Sequence, residues 1–187
     1  FLNKHGRKQI GISKTNKLKS LVYALIAGLV FSYLLYLLGN YLYGNTYENW
    51  YEYIGKSYNI PDEITGQEKR IMFAIMAITG MTFSPIGEEL FFRGIVHNSF
   101  ANSLGDKKAS IIDSLAFSLT HISHFGLVFI NNNWDFYLLP ALIWVLSMFL
   151  VSVLFFQMKR ITGSIWGAVL CHSGFNLGMI YCIFYLM

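Results

Sequence analysis

The chain has 187 residues, of which 55% are hydrophobic and only 13% charged, with a mean hydropathy of +0.46. A soluble domain carries about a quarter charged residues, so an ordinary water-facing surface is excluded and a lipid-facing one is left. The net charge of +4 comes from Lys and Arg flanking apolar runs, the positive-inside arrangement. No basic face interleaved with aromatics accompanies it, so nucleic acid is not expected as a partner. Cys171 and Cys182 fall in one predicted helix, about 16 Å apart along its axis. That is too far for a disulfide, and two cysteines make no zinc framework.

In chain order, residues 1–17 form a basic segment with Lys4, Arg7, Lys8, Lys14 and Lys17, expected on the cytoplasmic side. Residues 18–43 are long and apolar enough to cross about 30 Å of hydrocarbon. Residues 44–67 hold Tyr47, Glu48, Trp50, Tyr51, Glu52, Tyr53, Asp62 and Glu63. Aromatics of this kind gather at membrane interfaces, so an interfacial helix and a plain outer loop are both open readings. In residues 68–104, Ser84-Pro85 predicts a break, because proline lacks the amide and crowds the turn before it. A new helix then starts near Pro85 and stops at Gly105. Residues 109–130, carrying Asp113, His121 and His124, predict the next span. Asn131 to Asp135 reads as a polar loop, and 136–158 and 164–187 as the last two spans. The expected fold is all-α: one transmembrane domain over 18–187, a bundle of about five membrane-embedded helices, one broken at Ser84-Pro85, enclosing a polar cavity. Its catalytic core is expected at about 68–187. Lys107, Lys108, Lys159 and Arg160 fall on one side, which the positive-inside rule makes cytoplasmic; Lys69 and Arg70 fall on the other, against the rule.

Ionisable side chains inside a membrane cost at least a few kcal/mol each and usually mark function. Here they fall in three helices. Glu89 and Arg93 are four residues apart and share a helix face, so they can pair. Glu88 is turned about 100° away with no local cation, which suits a general base able to activate water. Helix capping by the two glutamates is the structural alternative, but it leaves Arg93 unexplained. His121 and His124 share a second face and could bind metal, position water or shuttle protons. His172 and Asn176 share a third and can donate to a developing oxyanion. Beside them Gly167, Cys171, Gly174 and Gly178 form a small-residue stripe of the kind that lets membrane helices pack closely, expected to bring His172 against the other clusters. Counted from the cytoplasmic ends, Glu89, His121 and His172 all lie about 18–23 Å deep. Glu88, His121 and His172 could also ligate one zinc ion through a carboxylate and two imidazoles, so the expected cofactor is either none or one divalent metal.

Taken together, Glu88-Glu89-x-x-x-Arg93, Phe117-x-x-x-His121 and His172-x-x-x-Asn176 resemble, in order and without substitution, the motifs of the CPBP family of intramembrane proteases. That family includes the CAAX prenyl endopeptidases and the Abi-type proteins linked to bacteriocin maturation and self-immunity. The resemblance covers about residues 85–180. It implies an intramembrane endopeptidase in which Glu88 and His121 bind and activate water, His172 and Asn176 stabilise the oxyanion, and Glu89 and Arg93 orient the site. The chain is shorter than the CAAX endopeptidases, and its richness in Asn, Lys, Ile and Tyr has a bacterial character. The expected substrate is therefore a membrane-associated peptide or protein of the bacteriocin or pheromone precursor type, and the expected location a multi-pass position in a bacterial plasma membrane. The alternative from the same residues is a non-catalytic binding, immunity or regulatory protein of this fold. A small proton-coupled carrier is disfavoured by the absence of internal repeats.

Overall fold

The computed structural model describes residues 3–61 and 64–187; Asp62 and Glu63 of the acidic, aromatic stretch lie outside the described residues. A short helix α1 (Lys4–Gln9) leads to α2 (Leu18–Tyr43), α3 (Trp50–Ser57) and α4 (Gly66–Glu89). A π-helical turn (Leu90–Val96) joins α4 to α5 (His97–Leu104), and α6 (Asp106–Thr120) ends in a 3-10 turn (His121–Ser123). Strands β1 (Leu127–Ile130) and β2 (Asn133–Phe136) pair as a small hairpin before α7 (Leu138–Thr162) and α8 (Ile165–Tyr185). Four helical stretches among the described residues are long and apolar enough to cross a membrane: α2, the continuous run Gly66–Leu104, α7 and α8. The protein is thus an all-α membrane protein with one small hairpin.

Burial ranks these helices. Only 28% of the apolar window of α2 is buried against 78% of that of α8, so α8 is the central helix and α2 faces lipid along most of its length. The small residues of α8 explain its contact with α2. A Cβ on Gly174 would lie 2.1 Å from the Leu25 carbonyl oxygen, and one on Gly28 would lie 1.9 Å from that of Cys171. The two backbones touch, which only glycine allows. This corrects the expectation for the stripe. From Cys171 to Gly178 its partner is α2, which holds none of the three polar motifs, while Gly167 packs against Met158 and Thr162 of α7; His172 reaches the other clusters from a different face of α8.

The break expected at Ser84-Pro85 does not occur. Helix α4 runs unbroken through Pro85. The reason lies on α8. The Met81 carbonyl, which Pro85 cannot serve with an amide, accepts from Ser173 Oγ at 2.6 Å. The neighbouring Gly80 carbonyl accepts from Asn176 Nδ2 at 2.9 Å. With its orphaned acceptors satisfied, the helix continues, and the departure from α geometry comes later, in the π turn.

The span expected over 109–130 is also shorter. Helix α6 stops at Thr120, and the apolar stretch after it forms the hairpin. Asn131 and Asn132 both have positive φ, 51° and 61°, as the turn of a two-residue hairpin requires. Val128 is fully buried and pins the hairpin to the core. Of the two readings for residues 44–67, the helix is the one found: α3 is capped by Asn49 and buries Trp50, Tyr51 and Ile54. The basic amino-terminal segment is tied to the α7–α8 turn. Ile165 N donates to the Gly11 carbonyl at 2.9 Å, Thr15 Oγ1 to that of Thr162 at 2.8 Å, and Lys17 Nζ to that of Ile161 at 2.6 Å.

Candidate active site

The three polar motifs meet between α4, the π turn, α6 and α8, around Arg93. A π turn holds one residue more than an α turn and is often found at functional sites; here Phe92, Arg93 and Gly94 are its buried residues. Arg93 Nε lies 3.1 Å from Glu89 Oε2 with both side chains fully buried, a close ion pair rather than a straight hydrogen bond, since neither atom has a hydrogen-bond partner among the described residues. The guanidinium is fixed from its other end, where Nη2 donates to the Ser152 carbonyl at 3.0 Å and also to the Ser152 hydroxyl. It lies 4.7 Å from the ring centre of Phe117 and 5.6 Å from that of Phe155, so aromatic faces take the place of solvent around the cation.

The second oxygen of Glu89 holds His172. Glu89 Oε1 lies 2.9 Å from His172 Nδ1. A carboxylate ionised against arginine only accepts, so Nδ1 carries the proton. The His172 ring stacks on Phe155, centres 4.6 Å apart and planes 14° apart. Nδ1 is thus committed and the ring plane is set, and Nε2 is the nitrogen left to the cavity that His172 lines.

Glu88 stands apart from this arrangement. Its side chain is 28% exposed and lines a cavity of about 420 Å³. Ser84 Oγ donates to Glu88 Oε1. Glu88 Oε2 has no hydrogen-bond partner among the described residues and faces His121 Nε2 at 4.0 Å. His121 is held by three contacts, two of them to its ring. Its Nδ1 donates to the Phe117 carbonyl at 2.8 Å, its face stacks on Phe117 with centres 4.2 Å apart, and its own carbonyl accepts from Trp144 Nε1 at 2.9 Å. With the proton of the neutral ring on Nδ1, the lone pair is on Nε2. Two acceptors, a carboxylate oxygen and an imidazole nitrogen, therefore face each other across one edge of the cavity. Tyr53, Ile54 and Ser57 of α3, with Tyr58 just after it, form its roof, and Trp144, Met148, Phe175 and Met179 its apolar wall.

Against the sequence expectations, the ionic pairing of Glu89 with Arg93 is present and His121 faces Glu88. His172 lines the same cavity as Glu88 and His121, with its Nδ1 bonded to Glu89. Among the described residues no three His, Cys, Asp or Glu side chains come close enough to share a metal ion, so the proposed zinc donor set is not assembled. Asn176 lines the cavity, but one of its amide hydrogens is engaged by the Gly80 carbonyl. His124 packs its ring edge on His121, 5.0 Å between centres. The sequence reading gave no role to Ser84, Ser152 or His97. For His97 a signal was available, since it lies four residues beyond Arg93 on the same helical face.

Residues 70–178 match the family model described as Type II CAAX prenyl endopeptidase Rce1-like. Neither the curated proteins nor the solved structures gave a match.

Proposed function

The chain belongs to the Type II CAAX prenyl endopeptidase Rce1-like family, whose match spans more than half of it, and on that premise we propose that it hydrolyses a peptide bond using Glu88 as general base. The observation that carries this reading is the pair of acceptors at the cavity edge, Glu88 Oε2 and His121 Nε2, 4.0 Å apart. Between them a water can donate one proton to the carboxylate while His121 holds its other hydrogen. Glu88 takes the proton as the water oxygen attacks the scissile carbonyl carbon, and returns it to the leaving nitrogen when the C–N bond breaks. The developing oxyanion is met by the second amide hydrogen of Asn176 and by His172 Nε2. For Nε2 to donate, the ring carries both protons, and the Glu89 carboxylate at Nδ1 offsets that charge. Glu89 and Arg93 orient His172. No step is routed through a metal, because the candidate donors do not form a set.

The substrate in this proposal is a membrane-associated peptide of the bacteriocin or pheromone precursor type, processed in a bacterial plasma membrane. A cavity of about 420 Å³ falls within the usual range for ligand sites of about 300–1,000 Å³, which supports a short extended segment rather than a folded domain. The test is cleavage of membrane-associated peptide precursors by the purified full chain in detergent. Wild type is run with and without a chelator beside Glu88→Ala and His121→Ala. Cleavage that survives chelator and disappears in both folded variants is the expected result. Loss with chelator assigns the chemistry to a metal. Variants as active as wild type remove Glu88 and His121 from the reaction. A wild type that leaves every peptide intact returns the chain to a binding or immunity role.

A further inference from the structure

Two buried ionisable side chains take no part in the cleavage just described. Asp113 on α6 is fully buried, and His97, the first residue of α5, is 3% exposed. A charge in such surroundings is tolerated only when it is paired, and both are. Asp113 Oδ2 lies 2.7 Å from His97 Nδ1. Asp113 Oδ1 lies 4.0 Å from Arg93 Nε and accepts from Ser114 Oγ at 3.3 Å. His97 in turn packs its ring over Phe156, 4.8 Å between centres, and its Nε2 lies 3.4 Å from Oδ1 of Asp106, a largely exposed carboxylate. Arg93 therefore sits between two carboxylate–imidazole pairs. Glu89 and His172 face the cavity side, and Asp113 and His97 lie on the side of α5 and the start of α6.

We propose that Asp113 and His97 are positioning residues for peptide cleavage, acting through Arg93 on His172; this rests on the peptidase reading above. The same guanidinium nitrogen, Arg93 Nε, faces both Glu89 and Asp113, while Nη2 is anchored on Ser152. Asp113 thus balances the pull of Glu89. His97 holds Asp113 in place through the other carboxylate oxygen. Removing that counterweight lets the guanidinium turn toward Glu89, which shifts Glu89 Oε1 and rotates the Nδ1–Nε2 axis of the imidazole bonded to it. The reacting peptide touches neither Asp113 nor His97. The effect is on the aim of His172 Nε2, so it falls on the chemical step and not on substrate binding.

The experiment is steady-state cleavage of one peptide by the full chain in detergent, with Asp113→Asn, His97→Leu and His97→Gln beside Glu88→Ala, each checked by thermal melting. The expected result is a kcat for Asp113→Asn lower by roughly 10–100-fold, the scale of effect when an outer group that orients a functional histidine is removed, with KM within about twofold of wild type. His97→Leu follows the same pattern, and His97→Gln, which keeps a donor toward Asp113, recovers most of the rate. Wild-type kcat in Asp113→Asn overturns the proposal, as does a rise in KM alone. If Asp113→Asn does not fold, the two His97 variants decide by the same criteria, and equal rates in Leu and Gln overturn it. A wild type that cleaves no peptide removes the peptidase reading itself, and the positioning role falls with it; a Glu88→Ala chain as active as wild type removes only Glu88 as the base.

Discussion

Two polar regions lie within one helical turn of each other and are built on opposite plans. At the cavity edge Glu88 is partly exposed, and its free oxygen stands 4.0 Å from His121 without a hydrogen bond. Behind it, His172, Glu89, Arg93, Asp113 and His97 form a row in which every side chain is 4% exposed or less. Both regions draw on adjacent residues, Glu88 and Glu89, separated only by the rotation of about 100° between helical neighbours. One carboxylate is left room for a reacting molecule, while the other has both oxygens engaged by protein. The difference teaches which groups react and which aim them: a base needs an unfilled coordination direction, and a positioning group needs none.

Substitutions can break that comparison. Glu88→Gln lowers turnover by roughly 10²–10⁴-fold, the range for a general base, and leaves the melting temperature within a few degrees of wild type, because the side chain borders a cavity. Peptide cleavage and a detergent thermal melt measured on the same sample check both halves. Arg93→Met reverses the pattern. It leaves Glu89 and Asp113 buried without their cation, and breaking a buried pair costs about 3–5 kcal/mol. The expected outcome is a large fall in melting temperature, or loss of folded protein, before any question of rate. If Arg93→Met melts like wild type, the buried row is not the structural centre described here.

Smaller effects are expected away from the row. Gly174→Ala drives a methyl group against the Leu25 backbone, and overpacking of this kind costs roughly 1–3 kcal/mol; melting separates it from a change in chemistry. Ser173→Ala removes the donor to the Met81 carbonyl, worth about 0.5–1.5 kcal/mol. Pro85→Ala in the same chain supplies an amide to that carbonyl and recovers part of the loss. A double variant no more stable than Ser173→Ala refutes the account of why α4 passes through its proline.

Much of the site was legible where the geometry is local. The pairing of Glu89 with Arg93 follows from four residues of helix. Apolar runs of 20 residues or more announce spans whatever they pack against, since hydrocarbon thickness alone sets their length. The short apolar run at Leu127–Ile130 was not legible. Four residues fit the end of a helix or a strand equally well, and burial of Val128 with the left-handed conformation of Asn131 and Asn132 decided for the hairpin.

By itself the sequence determined the lipid solvent, four of the five expected apolar spans, the family motifs and the i, i+4 pairs, because each depends on composition or on one helix's own geometry. Only the tertiary structure decided that His172 is bonded to Glu89, 83 residues away, and that α8 satisfies the carbonyls exposed by Pro85. The same holds for the place of Asp113 and His97 beyond Arg93. Those contacts are made between helices, and which face of one helix meets which face of another is set by where backbones can touch, at Gly28 and Gly174, not by the spacing of charges along the chain.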